Sequence, residues 1–151
     1  MEVAERNTIL TKVDIGFDVK VTWLAIARMF SPLANEHNMT VTMGFVLLNI
    51  SRDHGTPATK IAPLLGMEPR SLTRLIKKME EDGLVERRPD PEDRRSVRIF
   101  LTDEGFEKKQ IALQNNESFN ESVRAYVTDD ELRTFFDVIE KIHLVINEKT
   151  Q

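Results

Sequence analysis

The sequence predicts a mainly helical domain carrying one short β-hairpin. Apolar residues repeat at steps of three and four over most of the chain, which is the helical period. Near Leu84 the pattern changes, and Val97, Ile99 and Leu101 then alternate with Ser96, Arg98 and Phe100. Between the two extended stretches lies Pro89-Asp90-Pro91-Glu92-Asp93, where prolines and acids make a turn.

The elements follow in order. Residues 1–13 are polar and mixed, expected as a frayed arm. From Ile15 to about Glu36, Val19, Trp23, Ile26, Ala27, Phe30, Leu33 and Ala34 mark a helix. Pro32 removes one backbone hydrogen bond, which predicts a kink near Ala27–Phe30 or a break. Thr42 is placed to cap a short buried helix, Met43–Ile50, apolar on most sides. Thr56-Pro57 opens the next helix, with proline in its first turn, and Gly66 stops it after Leu65. A turn, Gly66-Met67-Glu68, leads into a helix from Pro69 with Leu72, Leu75, Ile76 and Met79 inward and Gly83 at its end. The hairpin comes next. Thr102-Asp103-Glu104-Gly105 then starts a long helix, with Leu113, Phe119, Val123 and Val127 on its apolar face. Thr128-Asp129-Asp130-Glu131 reads as a capping box before a last helix bearing Leu132, Phe135, Phe136, Ile139, Ile142 and Ile146. Two compact helices, a tight turn and a hairpin make a helix-turn-helix with a wing. The long helices at both ends are more apolar than one small domain needs, which suits packing between two subunits.

Composition removes several classes of function. With 40% hydrophobic and 30% charged residues the chain reads as globular rather than disordered. No apolar run reaches the roughly 20 residues of a membrane helix. The opening MEVAERNTIL has no apolar core of a secretory signal, so a cytoplasmic address is expected. Zero cysteines exclude a disulfide framework, a thiolate metal site and a cysteine nucleophile or redox switch. His37, His54 and His143 show no i, i+3 or i, i+4 pairing, so no metal site is expected. No nucleophile elbow, phosphate-binding glycine loop or zinc-hydrolase motif occurs, and no enzyme activity is expected.

The net charge of −4 is unevenly spread: residues 1–69 carry −1, residues 70–102 carry +2 and residues 103–151 carry −5. Acidic repulsion from the C-terminal third is damped beyond a Debye length of about 8–10 Å. The middle third can therefore hold phosphate.

The most informative run is ATKIAPLLGMEPRSLTRLIKKMEEDGLV. In a helix-turn-helix the second helix packs one face on the first and offers polar donors on the other. With Leu72, Leu75, Ile76 and Met79 inward, Arg70, Ser71, Thr73, Arg74, Lys77 and Lys78 lie on or beside the opposite face. Arginine can fork onto guanine O6 and N7, Ser and Thr can meet a base edge or a phosphate, and lysines suit phosphates. The bland alternative is the solvated face of an ordinary amphipathic helix. The ribbon adds Arg87, Arg88, Arg94, Arg95 and Arg98. An arginine at a wing tip suits the narrow minor groove, with Asp93 holding the Arg95 guanidinium in a forked pair. Here the alternative is a charged edge that blocks aggregation.

GMEPRSLTRLIKKMEEDGLVERRPDPEDRRSVRIFLTDEG resembles the core of the MarR family of winged-helix regulators. DRRSVRIFLT, followed by an acid and glycine, is the most specific piece, and MFSPLANEHNMTVTMGFVLL also fits. The resemblance covers roughly residues 15–146. It implies a winged helix-turn-helix lobe plus a helical dimerisation region made by the N- and C-terminal helices. The chain is then a single domain over 1–151, with about 15–37 and 105–147 for dimerisation and about 40–103 for the lobe. It further implies a homodimer on a pseudo-palindromic double-stranded DNA operator, with the recognition helix at Pro69–Asp82. The expected DNA-binding residues are Arg70, Ser71, Thr73, Arg74, Lys77, Lys78, Asp93, Arg94 and Arg95, with Arg95 in the minor groove. Ser96 departs from the family's usual glycine or small residue, which puts the turn of the wing in question. No cofactor is implied. The expected function is a repressor released by a small aromatic or phenolic effector, bound between the lobe and the dimerisation helices. Trp23, Phe30, Met43 and Phe45 lie in the first two helices as either cavity lining or ordinary core. The peroxide-sensing branch of the family needs cysteine, which this chain lacks. The alternative is a winged helix that docks proteins and leaves DNA alone.

Overall fold

The computed structural model describes residues 14–151, and the arm expected over 1–13 lies outside them. The order is α1 (Ile15–Asn35), α2 (Val41–Leu48), β1 (Thr56–Pro57), α3 (Ala58–Leu64), α4 (Pro69–Glu81), β2 (Val85–Pro89), β3 (Val97–Leu101), α5 (Asp103–Arg124) and α6 (Asp129–Lys149). The chain forms two compact units, one reaching Ala112 and the other Leu113–Gln151.

Helix α1 starts where Asp14 accepts a bond from the Phe17 N–H and runs unbroken through Pro32. The expected break does not occur: the helix continues three residues past Pro32, to Asn35. Thr40, not Thr42, caps α2: its Oγ1 accepts from the Met43 N–H at 3.1 Å. Asn38, at φ 57, turns the chain so that the cap falls two residues before the expected one. Helix α2 also ends earlier than expected, at Leu48.

Thr56-Pro57 is a strand rather than the first turn of a helix. It pairs antiparallel with β3, Thr56 opposite Ile99 and Pro57 opposite Arg98. The wing is therefore part of a three-stranded sheet in the order β1-β3-β2. Pro57 then serves as the N-cap of α3. Gly55, at φ +65, lets the chain enter β1; a Cβ there would sit 2.7 Å from the Ile99 carbonyl oxygen.

Helices α3 and α4 end in the same way. Met67 N–H donates to Ala62 O with Gly66 at φ +62, and Leu84 N–H donates to Met79 O with Gly83 at φ +77. Both are glycine-terminated Schellman closures, which make the turn between the two helices tight. The core of this unit is Met39, Met43, Val46, Leu47, Ile50, Ile61, Leu72, Ile76, Met79, Leu84, Val85 and Ile99, with Leu75 packed against it. The first turns of α5 tie onto it. Lys108 Nζ donates to His37 O at 2.9 Å and Lys109 Nζ to Ile50 O at 2.7 Å. Gly105 passes so close to Leu84 that a Cβ would overlap its carbonyl oxygen.

In the second unit the expected capping box is formed. Thr128 Oγ1 accepts from the Glu131 N–H, and Glu131 Oε2 accepts from the Thr128 N–H. Helix α6 buries no residue, and Phe135, Phe136, Leu144 and Ile146 are exposed.

Candidate nucleic-acid interface

Helix α4 presents its polar face as the spacing predicts. Leu72, Ile76 and Met79 are buried, while Arg70, Ser71, Thr73, Arg74, Lys77 and Lys78 are all exposed. At about 100° per residue, Arg70, Arg74 and Lys77 fall within an arc of roughly 60° opposite the core. The remaining candidates flank that arc. Thr73 lies on the wing side, where it lines a cleft of about 410 Å³ with Arg87, Arg95 and Val97. Its hydroxyl donates to Pro69 O at 2.9 Å, which leaves the oxygen free to accept. Lys78 lies on the other flank, beside Asn35, His37 and Asn38. It pairs with Asp82 at 2.8 Å, and that hydrogen bond holds its ammonium pKa above the ordinary lysine value.

The ribbon arginines divide into two groups. Three of their side chains are engaged within the lobe. Arg87 binds Glu80 at the end of α4 through Nη2 at 2.9 Å, Nε at 3.1 Å and its backbone N–H at 3.1 Å. These bonds hold the Glu80 carboxyl below the usual carboxylate range. Arg88 pairs with Glu86 at 2.7 Å and lies 4.3 Å over the Phe100 ring. Arg98, opposite Arg88 in the ladder, donates to His54 O at 3.1 Å and faces Asp90 at 3.5 Å. Arg94 and Arg95 are exposed at the tip and form no side-chain ion pair among the described residues.

The forked pair expected between the Asp93 and Arg95 side chains is not formed. Asp93 Oδ1 instead accepts from the Arg95 backbone N–H at 3.0 Å. An aspartate bonding the N–H two residues on closes a local turn, which competes with an ion pair to the side chain. Asp93 thus shapes the tip and leaves the Arg95 guanidinium free. Ser96 fits this turn without a glycine conformation: its N–H donates to Asp93 O and its carbonyl accepts from Asp90 N–H.

Two features of the site were not anticipated. Asp90, in a stretch that the sequence marks only as a turn, is 5% exposed. The Glu80–Arg87 clamp joins α4 to the wing across the helix end at Gly83, where no helical period continues. Among the other candidates, Phe30 and Met43 are buried, while Trp23 is exposed with its ring edge on Phe45 at 5.5 Å between centroids. No group of three or more His, Cys, Asp or Glu able to hold a metal occurs among the described residues. No helix among them is long and apolar enough to cross a membrane.

A profile of the MarR family matches residues 39–97, from the turn before α2 to the start of β3. An uncharacterized HTH-type transcriptional regulator of Bacillus subtilis (strain 168) is 32% identical over 83 residues, covering 55% of this chain and 51% of that protein. The HTH-type transcriptional regulator TtmR of Methylorubrum extorquens (strain PA1) is 36% identical over 81 residues, covering 54% and 42%. The matched segment thus spans about half the length of these curated relatives. A MarR family transcriptional regulator of Listeria monocytogenes, crystallised with a 26mer DNA, superposes with a TM-score of 0.81 at 21% identity, covering 91% of each chain. The fold is the same winged helix. The segment that resembles the MarR family, residues 39–97, holds α2, β1, α3, α4 and β2.

Proposed function

We propose that this chain is a sequence-specific, double-stranded-DNA-binding transcriptional regulator, acting as a homodimeric repressor that a small-molecule effector releases. The observation that carries the reading is how the lobe deploys its cations. Arg70, Arg74 and Lys77 share one outward arc of α4, Arg94 and Arg95 stand at the wing tip, and none of them is in an ion pair among the described residues. Lys78, Arg87, Arg88 and Arg98 are paired. Unpaired cations on a helix and a ribbon of one lobe suit a major groove and its neighbouring minor groove.

Arg74 and Thr73 are assigned to base edges. Arg70, Ser71 and Lys77 take bases or phosphates, and Lys78, with one N–H on Asp82, keeps two donors for a phosphate. Arg95 enters the minor groove beside Arg94, on a turn held by Asp93. The relatives reported above are regulators, and no catalytic role is proposed. A protein-docking surface would be more apolar than the Arg70–Lys78 face.

The apolar residues that α1 and α6 leave in water support the homodimer. Ile15, Val19 and Trp23 recur at i, i+4 on α1, and α6 exposes Phe135, Phe136 and Ile146. A second copy covering these stripes takes apolar surface out of water. Sedimentation should give twice 17.4 kDa. The effector acts by binding one spacing of the two lobes better than the other. Trp23, the sole tryptophan, is the fluorescence reporter for it.

Selection from a random-sequence duplex pool tests the function. Enrichment of a pseudo-palindrome with half-sites about one helical turn apart, or a multiple, is expected. A pool that stays random after repeated rounds would contradict sequence-specific binding.

A further inference from the structure

At the neck of the wing the buried carboxylate of Asp90 faces the half-buried guanidinium of Arg98, a pair given no direct DNA contact. Asp90 lies immediately after β2 and is 5% exposed, whereas Pro89 before it and Pro91–Arg95 after it are exposed. Its backbone N–H donates to Ser96 O at 3.1 Å, closing the loop. Its Oδ1 accepts from the Glu92 N–H at 3.0 Å. Its Oδ2 faces Arg98 Nη2 at 3.5 Å. Arg98 is anchored on its other side by His54 O at 3.1 Å, and its Nε is buried without an acceptor.

A buried ion pair is a poor source of stability, because desolvating two charges offsets most of their attraction. Here the guanidinium is also incompletely satisfied, which adds to that cost. Replacing such a pair by apolar residues of similar volume is often neutral or stabilising. What the charged pair supplies is direction. It ties the neck of the tip loop to β3 and, through His54 O, to the segment that enters β1.

We propose that Asp90 and Arg98 are positioning residues that set the approach of Arg95 to DNA. The inference rests on the DNA-binding reading of the wing. Asp90 holds the start of the loop and Asp93 its tip, so Arg95 leaves the sheet at a fixed angle. Asp90→Asn keeps the shape and the acceptor for Glu92 N–H but removes the charge that faces Arg98. Charge alone predicts that this variant binds DNA more tightly, since a negative group near phosphate is lost. Positioning predicts the opposite sign. Arg98→Lys keeps the charge, lacks the guanidinium fork and should also weaken binding.

The experiment is a double-mutant cycle on a labelled mixed-sequence duplex at low salt, read by fluorescence anisotropy. Asp90→Asn and Arg98→Lys are each made with and without Arg95→Ala, and melting is followed by circular dichroism. With Arg95 present, each should weaken binding about tenfold, within the coupling range of contacting residues. With Arg95 replaced, each should change it by less than about twofold. The slope of log affinity against log salt should fall in Asp90→Asn as it does in Arg95→Ala. Unchanged or tighter binding by Asp90→Asn would overturn the proposal. So would an equal loss in both backgrounds, or loss of cooperative melting in both single variants, since either makes the pair a stability element. If Arg95→Ala alone binds like the wild type, or the wild type binds no duplex, the DNA reading itself fails and takes the proposal with it.

Discussion

Replacing Arg95 by alanine separates a DNA contact from a structural one. The side chain is exposed and makes no ion pair among the described residues, and the bond that shapes the tip, Asp93 Oδ1 to the Arg95 N–H at 3.0 Å, survives in alanine. Melting temperature should therefore stay near the wild-type value. Affinity should fall, and the fall should depend on salt. Each phosphate contact contributes a slope of about 0.9 in log affinity against log salt. Between about 50 and 200 mM salt, losing one contact per protomer narrows the wild type's salt-driven loss of affinity by about 3.5-fold, and by about 12-fold for two wings. Anisotropy titrations over that salt range read both the affinity and the slope. Arg87→Ala is the control, because its guanidinium is held by Glu80 and its loss should lower melting temperature first. An Arg95→Ala protein with wild-type affinity and slope would refute the assignment of the wing. One with lowered melting temperature and an unchanged slope would make Arg95 a structural residue.

Arg74→Ala should reduce discrimination between a selected site and random duplex more than it reduces binding overall, by about 1–3 kcal/mol per base contact. Competition binding measures this, and a uniform loss would reassign Arg74 to a phosphate. Gly105→Ala should destabilise the first unit by about 3 kcal/mol or more in chemical denaturation, because its Cβ would overlap the Leu84 carbonyl oxygen. Wild-type stability there would contradict the close approach of α5 to Leu84. The clamp between α4 and the wing should be pH-dependent. Glu80 has its pKa lowered in the folded state, so its contribution is complete above the ordinary glutamate value and is lost as pH falls through the lowered one. The stability gap between wild type and Glu80→Gln should thus be present at neutral pH and close in acid. A gap that persists in acid would contradict the ion-pair account.

What the residues disclosed before the structure was periodic or stereochemical. Leu72, Ile76 and Met79 marked the buried side of α4 by their spacing, and Gly66 and Gly83 marked the ends of α3 and α4 because left-handed backbone favours glycine. Thr128-Asp129-Asp130-Glu131 announced its helix because a capping box is a local, reciprocal pair of bonds. Strand β1 was not legible, since two residues show no period and its partner Ile99 lies far along the chain. The cap of α2 was misplaced because Thr40 and Thr42 are equivalent as residue types, and only the turn at Asn38 decides between them. Within the site, exposure of the α4 cations followed from the helical period. Which ribbon arginines are free did not. That depends on Glu80 reaching across to Arg87 and on Asp90 folding inward to Arg98, both set by tertiary packing. The sequence pairs Asp93 with Arg95, and the structure keeps the residue but changes the group, because the local turn to the backbone N–H competes with the guanidinium.

The most direct test of the central claim, that α4 and the wing of this lobe read duplex DNA, is binding of the purified chain to the duplex upstream of its own gene. A scrambled duplex of the same composition is the control, at low and at physiological salt. The account predicts tighter binding to the native duplex, a steep loss with salt for both, and a preference for the native duplex that survives the salt increase. Equal affinity for the two duplexes would place the operator away from this gene, and no affinity for either, even at low salt, would contradict the account.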